Sequence, residues 1–274
     1  MKKKFCILCR SSRLKFHHKI IFLKKSYHYD FCLNCNFTFQ NPWPQREVEK
    51  IYNTHEYWNY GGQNSYGSYQ SSRSNEAKKR YIKLKKYFPY NGSVLEIGCA
   101  NGIFLSEFKK NGWTCIGVDP ARQMIKFGIK KYGLNLKCQK IEDSKIKRNS
   151  FNLIYMWGTD GNFFNFKKSF NIIKKVLKKG GIYSFSYQDF KHPINRIFKQ
   201  HKKHHHILYH FSKKSIYYLM KNLGFKILEH ELIWQNSKLS HIARVLGLNS
   251  LLKSMDLSIT FPTISYNLVI AKKI

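Results

Sequence analysis

Apolar positions along this chain change their spacing three times, and each change marks a different kind of element. Near the start, Phe5, Phe16, Ile20, Phe22, Tyr27, Tyr29, Phe31, Phe37 and Phe39 are interspersed with four cysteines, which suits a small ribbon. Asn41-Pro42-Trp43-Pro44 ends that stretch. Residues 46–53 have a helical spacing. Residues 61–74 are rich in Gly, Ser, Asn, Gln and Tyr and read as a loop. Ala77, Tyr81, Leu84 and Phe88 then share one helical face, with lysines opposite.

Past Ser93, short apolar runs alternate with helical spacings. Residues 94–97, 114–118, 134–138 and 151–156 predict strands, and residues 103–110 predict a helix. Phe166, Phe170, Ile173 and Leu177 recur at helical intervals, with Lys167, Lys168, Lys174, Lys175 and Lys178 on the other face. Gly180-Gly181 is expected to stop that helix ahead of a strand at 182–187. Residues 226–233 and 266–272 predict the last two strands, with a helical insertion between them. Strands alternating with helices imply an α/β fold with a doubly wound, parallel sheet. The expected division is a module at 1–45, a helix and linker at 46–75, and the α/β domain at 76–274. No internal repeat is visible.

Composition narrows the class. With 43% apolar and 16% aromatic residues, the 274-residue chain has material for a core, so wholesale disorder is excluded. No run approaches the roughly 20 apolar residues of a spanning helix. The basic start, Met1–Lys4, leads into a stretch too short and polar for a signal peptide core, so a cytoplasmic protein is expected. The charge is unusual: 49 Lys and Arg against 15 Asp and Glu leave +34. Codon bias toward A and T would enrich Lys, Asn, Ile, Tyr and Phe, but it would not remove acids. The excess therefore has two readings: a solvated basic surface, or a field that attracts something anionic, such as nucleic acid, a phosphorylated substrate or a membrane surface.

The cysteines carry the first chemical signature. Cys6-Ile-Leu-Cys9 and Cys32-Leu-Asn-Cys35 form two CxxC pairs. Each pair can sit on a tight turn, and four thiolates complete a tetrahedral Zn²⁺ site, which when closed is structural. Two disulfides or four unrelated thiols are the alternatives, and a cytoplasmic setting disfavours them.

The second signature follows the strand at 94–97. The run Val94-Leu95-Glu96-Ile97-Gly98-Cys99-Ala100-Asn101-Gly102 opens a helix with small residues that let a ligand approach the backbone. Asp119 ends the next strand, at a spacing that suits a carboxylate on a ribose diol. A nucleoside cofactor is implied. A dinucleotide GxGxxG is excluded by Ala100 and Ile103, and no P-loop is present.

The pattern Glu-x-Gly-x-Ala-x-Gly resembles motif I of the class I S-adenosylmethionine-dependent methyltransferases. Gly117-Val118-Asp119-Pro120 is similar to that family's second-strand motif, and Glu142-Asp143 falls where the family surrounds adenine. Phe151-Asn152-Leu153-Ile154 resembles its fourth strand, with Asn152 in place of Asp. Leu177-Lys178-Lys179-Gly180-Gly181 resembles the segment before its fifth, and Phe211-Ser212 with Leu223-Gly224-Phe225 its late segment. The resemblance covers about residues 76–233. It implies a seven-stranded Rossmann-like sheet with cofactor contacts from Glu96, Gly98, Cys99, Ala100, Gly102, Asp119, Pro120, Glu142, Asp143 and Trp157. The cysteine pairs and the Asn-Pro-x-Pro segment resemble a subgroup that modifies sugars in bacterial polysaccharide or glycosylated-metabolite pathways.

Two departures matter. Ala100 replaces the middle glycine of motif I, where its methyl is expected to cost little. After strand four the subgroup's Trp-His-x-Leu-Glu-His is here Trp157-Gly158-Thr159-Asp160-Gly161-Asn162, without its histidines and glutamate. A hydroxyl acceptor needs a base within hydrogen-bond reach. Residues 191–214 hold His192, His201, His204, His205, His206 and His210 with seven Lys or Arg and no acid. His206 is the expected base, with Asp160 second. The same segment suits a phosphorylated or nucleotide-linked acceptor. The leading expectation is O-methylation of a sugar, glycan or other small anionic acceptor. RNA methylation and a non-catalytic zinc- and cofactor-binding role are the alternatives.

Overall fold

The computed structural model describes residues 4–22, 25–43, 66–159, 161–189, 191, 207–238 and 258–274. The expected helix at 46–53, Asp160 and His206 lie outside the described residues, as does the middle of the expected helical insertion; its flanks, 234–238 and 258–265, are strand and lengthen the last two strands.

The strands of the main sheet are β4 (Ser93–Ile97), β5 (Thr114–Asp119), β6 (Asn135–Cys138), β7 (Phe151–Met156), β8 (Leu177–Gln188), β10 (Phe225–Lys238) and β11 (Ser258–Lys273). Their spatial order is β10-β11-β8-β7-β4-β5-β6. β4 through β8 pair in parallel, and β11 runs antiparallel to both of its neighbours. Helices α1 (Tyr66–Lys85), α2 (Ile103–Lys110), α3 (Arg122–Tyr132), α4 (Phe166–Val176) and α5 (Lys213–Leu223) link the strands. The sheet is the expected Rossmann-like, seven-stranded one.

The central strands are apolar at successive positions because both faces are covered. Leu95, Ile97, Ile154 and Met156 enter one core with α4 and α5. Val94, Leu153 and Tyr155 enter the other with α1, α2 and Ile125 of α3. Helix ends follow local chemistry. Ser212 and Ser215 form a capping box on α5, and Gly224 closes it at φ 75°.

Two expectations are corrected. The loop expected over 61–74 is helical from Tyr66 onward. Weak helix formers are carried there because Ala77, Tyr81 and Leu84 anchor the same helix in the core and tertiary packing overrides propensity. Helix α4 ends at Val176 rather than at Gly180. Leu177 instead pairs with Phe151, so the Lys178–Gly181 stretch is an irregular strand start, which takes up the register shift between Phe151 and Leu153.

A second sheet of β1 (Leu14–Phe22), β2 (Lys25–Cys32), β3 (Thr38–Gln40) and β9 (Tyr209–His210) is antiparallel throughout. Its fourth strand thus comes from the segment after β8. Phe37 packs against Phe166 and Phe211 at ring distances of 5.4 and 5.1 Å, and Trp43 Nε1 donates to Phe164 O at 3.0 Å. The amino-terminal sheet and the α4 side of the main sheet share one core.

Across the molecule, α1 is tied to β10 by charge. Lys86 Nζ lies 2.6 Å and Lys83 Nζ 3.1 Å from the Glu229 carboxylate, and Tyr87 Oη also donates to it. Burial raises the Glu229 pKa, but the hydrogen bonds from Lys86, Tyr87 and Lys83 outweigh it and bring it down to about 2. A carboxylate lowered on folding stabilises the fold above the unfolded pKa and loses that contribution as pH falls toward 2. Replacing Glu229→Gln should therefore cost about 1 kcal/mol near neutrality. Urea unfolding at pH 7 and at pH 2–3 measures this, and the gap between wild type and variant should close in acid.

Candidate functional site

The four expected metal ligands come together. Cys6 and Cys32 begin two turns of the same construction. Arg10 N donates to Cys6 O and Asn36 N to Cys32 O, each at 2.9 Å. Cys6 N donates to Ser11 O and Cys32 N to Phe37 O, again at 2.9 Å. Each turn is closed by a left-handed residue, Arg10 at φ 63° and Asn36 at φ 60°. All four Sγ atoms lie within 4.8 Å of one another, with Cys6–Cys35 at 3.7 Å and Cys9–Cys32 at 3.5 Å. A tetrahedron with Zn–S bonds near 2.3 Å has edges of about 3.8 Å. The hydrogen bond with Cys35 brings the Cys6 thiol down to about 6 despite burial, while the same contact and burial push Cys35 up.

The expected cofactor residues gather at the carboxyl ends of β4 and β5. The Asp119 carboxylate organises them: Oδ2 accepts from Ala100 N at 2.9 Å and Oδ1 from Ala121 N at 2.7 Å. Burial pushes the Asp119 pKa up, and the two N–H donors work against that. Val118 O accepts from Gly98 N and Cys99 N, which folds the loop back over β5. Gly98 and Gly102 adopt φ 71° and 72°. Ala100 adopts φ 48°, so its methyl is more costly than expected: a left-handed L-residue costs roughly 1–2 kcal/mol. Pro120 is half-buried beside Asp119, and Asp143 is exposed. Glu142 is buried, and its Oε1 accepts from Asn165 N at 3.3 Å.

Glu96 is 2% exposed, and its Oε2 has no hydrogen-bond partner among the described residues. Burial pushes its pKa well up, and Arg80 partly offsets this. A buried carboxylate with an open oxygen is a receptor for a cationic or N–H donor. Trp157 lies under Arg80, whose guanidinium carbon is 3.2 Å from the indole centroid and 4.1 Å from the Phe104 ring. Arg80 Nη1 donates to Tyr155 Oη at 2.8 Å, and Nη2 pairs with Glu76.

The spacing rules missed three residues here. Arg80 is a cation on the Ala77/Leu84 face of α1, the one sign of its burial. Thr159 fills the space a Gly98 side chain would occupy. Gly128 lets α3 touch the loop, since a Cβ there would lie 2.2 Å from Asn101 O. Beyond Trp157, a Cβ on Gly158 would meet no atom of the described residues within 4 Å.

Asp160 and His206 are outside the described residues, but their neighbours are adjacent: Leu208 N donates to Gly161 O at 2.8 Å. From the amino-terminal sheet, Gln40 N donates to Leu208 O and Tyr29 Oη to Ile207 O. His210, from the same segment, is buried in a stack with Tyr29 and His18. Lys15 and Lys191 hold their ammonium groups 5.6 and 4.5 Å from the Phe31 ring centroid. Burial lowers the Lys191 pKa first, then Lys15; Asp189 opposes them and Lys214 adds to them.

The sequence model of a methyltransferase domain matches residues 69–230. No curated protein matches the chain. Among solved structures, a protein from Pyrococcus horikoshii is 15% identical, with a TM-score of 0.55 over 82% of this chain and 99% of that one. A SAM-dependent methyltransferase from Archaeoglobus fulgidus is 18% identical, with a TM-score of 0.55 over 76% and 100%. An S-adenosylmethionine-dependent methyltransferase from Mesorhizobium loti is 17% identical, with a TM-score of 0.51 over 71% and 97%. At these identities the likeness concerns the fold.

The loop geometry carries its own test. A Cβ on Gly98 would sit 2.1 Å from Thr159 Oγ1, at a left-handed φ. Gly98→Ala should destabilise the fold by about 2–3 kcal/mol in chemical denaturation. Adding Thr159→Ala should recover the steric part and leave roughly 1–2 kcal/mol of backbone strain.

Proposed function

Because the chain belongs to the methyltransferase-domain family, we infer that it is an enzyme of methyl transfer with S-adenosylmethionine as donor. We propose a sugar, glycan or other small anionic molecule as acceptor. The observation that carries the donor reading is the open Glu96 oxygen, buried beside the loop that Asp119 holds. An α-amino group satisfies that oxygen. Each Asp119 oxygen takes one backbone N–H and keeps a lone pair for a ribose hydroxyl. Residues 98–102 let the ligand approach the backbone, and Glu142 and Asp143 lie on the adenine side. Trp157 completes the proposed set.

When bound, the cofactor supplies a methyl group on a sulfonium centre, open to in-line displacement. The chain's part is to orient and to manage a proton. His206 is proposed as the base that takes the acceptor's hydroxyl proton, with Asp160 as the second candidate. The adjacency of their neighbours Gly161 and Ile207 supports this pairing. The space at Gly158 lies on the acceptor side. Lys15, Lys191 and Lys214, set against Asp189, support an anionic acceptor. The four thiols are proposed to hold a structural Zn²⁺. The near-tetrahedral spacing and the paired turns support it, and a closed four-thiolate shell leaves no position for substrate.

Calorimetry with S-adenosylhomocysteine should show binding in the micromolar range, weakened at least about tenfold by Asp119→Ala. Absence of binding to the wild type would sink the donor assignment. Methyl transfer from labelled cofactor, screened over nucleotide sugars, glycans and RNA, tests the acceptor; RNA as the one acceptor would replace it. In that assay His206→Ala should keep cofactor affinity and lose about a hundredfold or more in turnover.

A separate prediction concerns the metal. The purified protein should contain one zinc per chain, and a chelator should lower its thermal midpoint by several degrees. Absorbance of a cobalt-substituted sample would report the thiolate shell.

A further inference from the structure

The location of the positive charge follows from the topology. A helix that returns from the end of one parallel strand to the start of the next finishes at the strands' amino-terminal edge. All five helices finish there, and every one carries lysine in its last turn. The cofactor loops lie at the opposite edge, where Glu96, Asp119 and Glu142 sit.

A lysine at a helix end complements the macrodipole. Two observations exceed that role. None of the five helices has an acid in its first turn, so the complement is made at one end only. In addition, exposed lysines continue past the helices at the same edge: Lys179 and Lys226 follow the caps of α4 and α5 by two residues, and Lys272 stands at the end of β11. Like charges are crowded there: burial lowers the Lys273 pKa, and Lys174 and Arg148 lower it further. Lys273 Nζ donates to Lys174 O and Leu177 O, both at 2.6 Å.

Apolar side chains stand among these cations. Tyr90, in the turn between α1 and β4, is 85% exposed. Ile82 near the end of α1 is 68% exposed, and Ile129 near the end of α3 is 44% exposed. Lysines interspersed with exposed aromatic and aliphatic tips are the composition of a surface that lies on a lipid headgroup layer. Lysine predominates over arginine at this edge. That suits a diffuse anionic plane, whereas the fixed geometry of nucleic-acid phosphates favours arginine's bidentate fork.

We propose that the amino-terminal edge of the main sheet docks peripherally on an anionic phospholipid surface, which leaves the cofactor loops facing away from the lipid. The assignment stands independently of the methyl acceptor.

The test is sedimentation of the full chain with vesicles of phosphatidylcholine, with or without phosphatidylglycerol. Binding should require phosphatidylglycerol and weaken with salt. The variant Lys179→Glu/Lys226→Glu/Lys272→Glu should lower the partition coefficient by about a hundredfold or more. Lys130→Glu/Lys175→Glu, on α3 and α4, serves as a second edge variant. Tyr90→Ser should weaken binding at every salt concentration. A charge-matched control, Lys19→Glu/Lys126→Glu/Lys137→Glu, reverses exposed lysines elsewhere and should retain most of the binding. Retained affinity for S-adenosylhomocysteine verifies the fold of each variant. Equal loss in the control would show a bulk charge effect and overturn the proposal. So would equal binding to neutral vesicles, or tighter binding of a short RNA through the same three lysines.

Discussion

The Asp119 carboxylate is the constraint on which the carboxyl edge of the sheet depends. Its two oxygens reach opposite ways, to Ala100 N in the loop after β4 and to Ala121 N ahead of α3. Hydrogen bonds to a charged group contribute roughly 1.5–3 kcal/mol each, so one side chain fixes two crossover loops. No cationic side chain faces it among the described residues; the charge is balanced by backbone dipoles. That leaves Arg80, a buried cation, to Trp157, Phe104 and Glu96. The left-handed conformations of Gly98, Ala100 and Gly102 follow from the same anchoring, because the loop must turn back within five residues to present Ala100 N.

The cysteine-bearing sheet is built into the domain it precedes. Phe37 and Phe39 pass into the core beside α4, and Tyr209 and His210 add the fourth strand. This joint brings the amino-terminal sheet against residues 207–212, the end of the histidine-rich segment. Tyr29 reaches Ile207 O, and Gln40 reaches Leu208 O and Tyr29 Oη. The cysteine-bearing sheet therefore braces residues 207–210 against the main domain.

Much of this was legible because the strongest signals are local. Ile103–Lys110 and Phe151–Met156 have the bounds their apolar spacing predicts. The CxxC pairs predict a cluster, and the four thiols form one. What escaped has no local period. A two-residue strand such as Tyr209–His210 gains its identity from Thr38 and Phe39 alone. The start of α1 runs through glycine and serine, and the boundary of α4 depends on Leu177 finding Phe151 across the sheet. Ala100 resembles a harmless replacement until its φ is known. Asn152, the substitution in the fourth-strand motif, lies at the start of β7, at the opposite edge of the sheet from Asp119. Its Oδ1 accepts from Ser93 N, Ser93 Oγ and Lys178 Nζ, so it joins the starts of three strands.

The pairing of β3 with β9 also sets a timetable. Thr38 meets His210, so 172 residues (210 − 38) separate the two partners along the chain. At about 5–20 residues per second of synthesis, the earlier strand waits roughly ten to thirty seconds for its neighbour. During that interval β3 presents an open edge, and Phe37 and Phe39 lack the aromatic rings that later enclose them. The cysteine-bearing sheet, made well before the strand it pairs with, is thus among the last parts to complete its packing, and nascent chains caught in that window are the ones most exposed to chaperones and proteases.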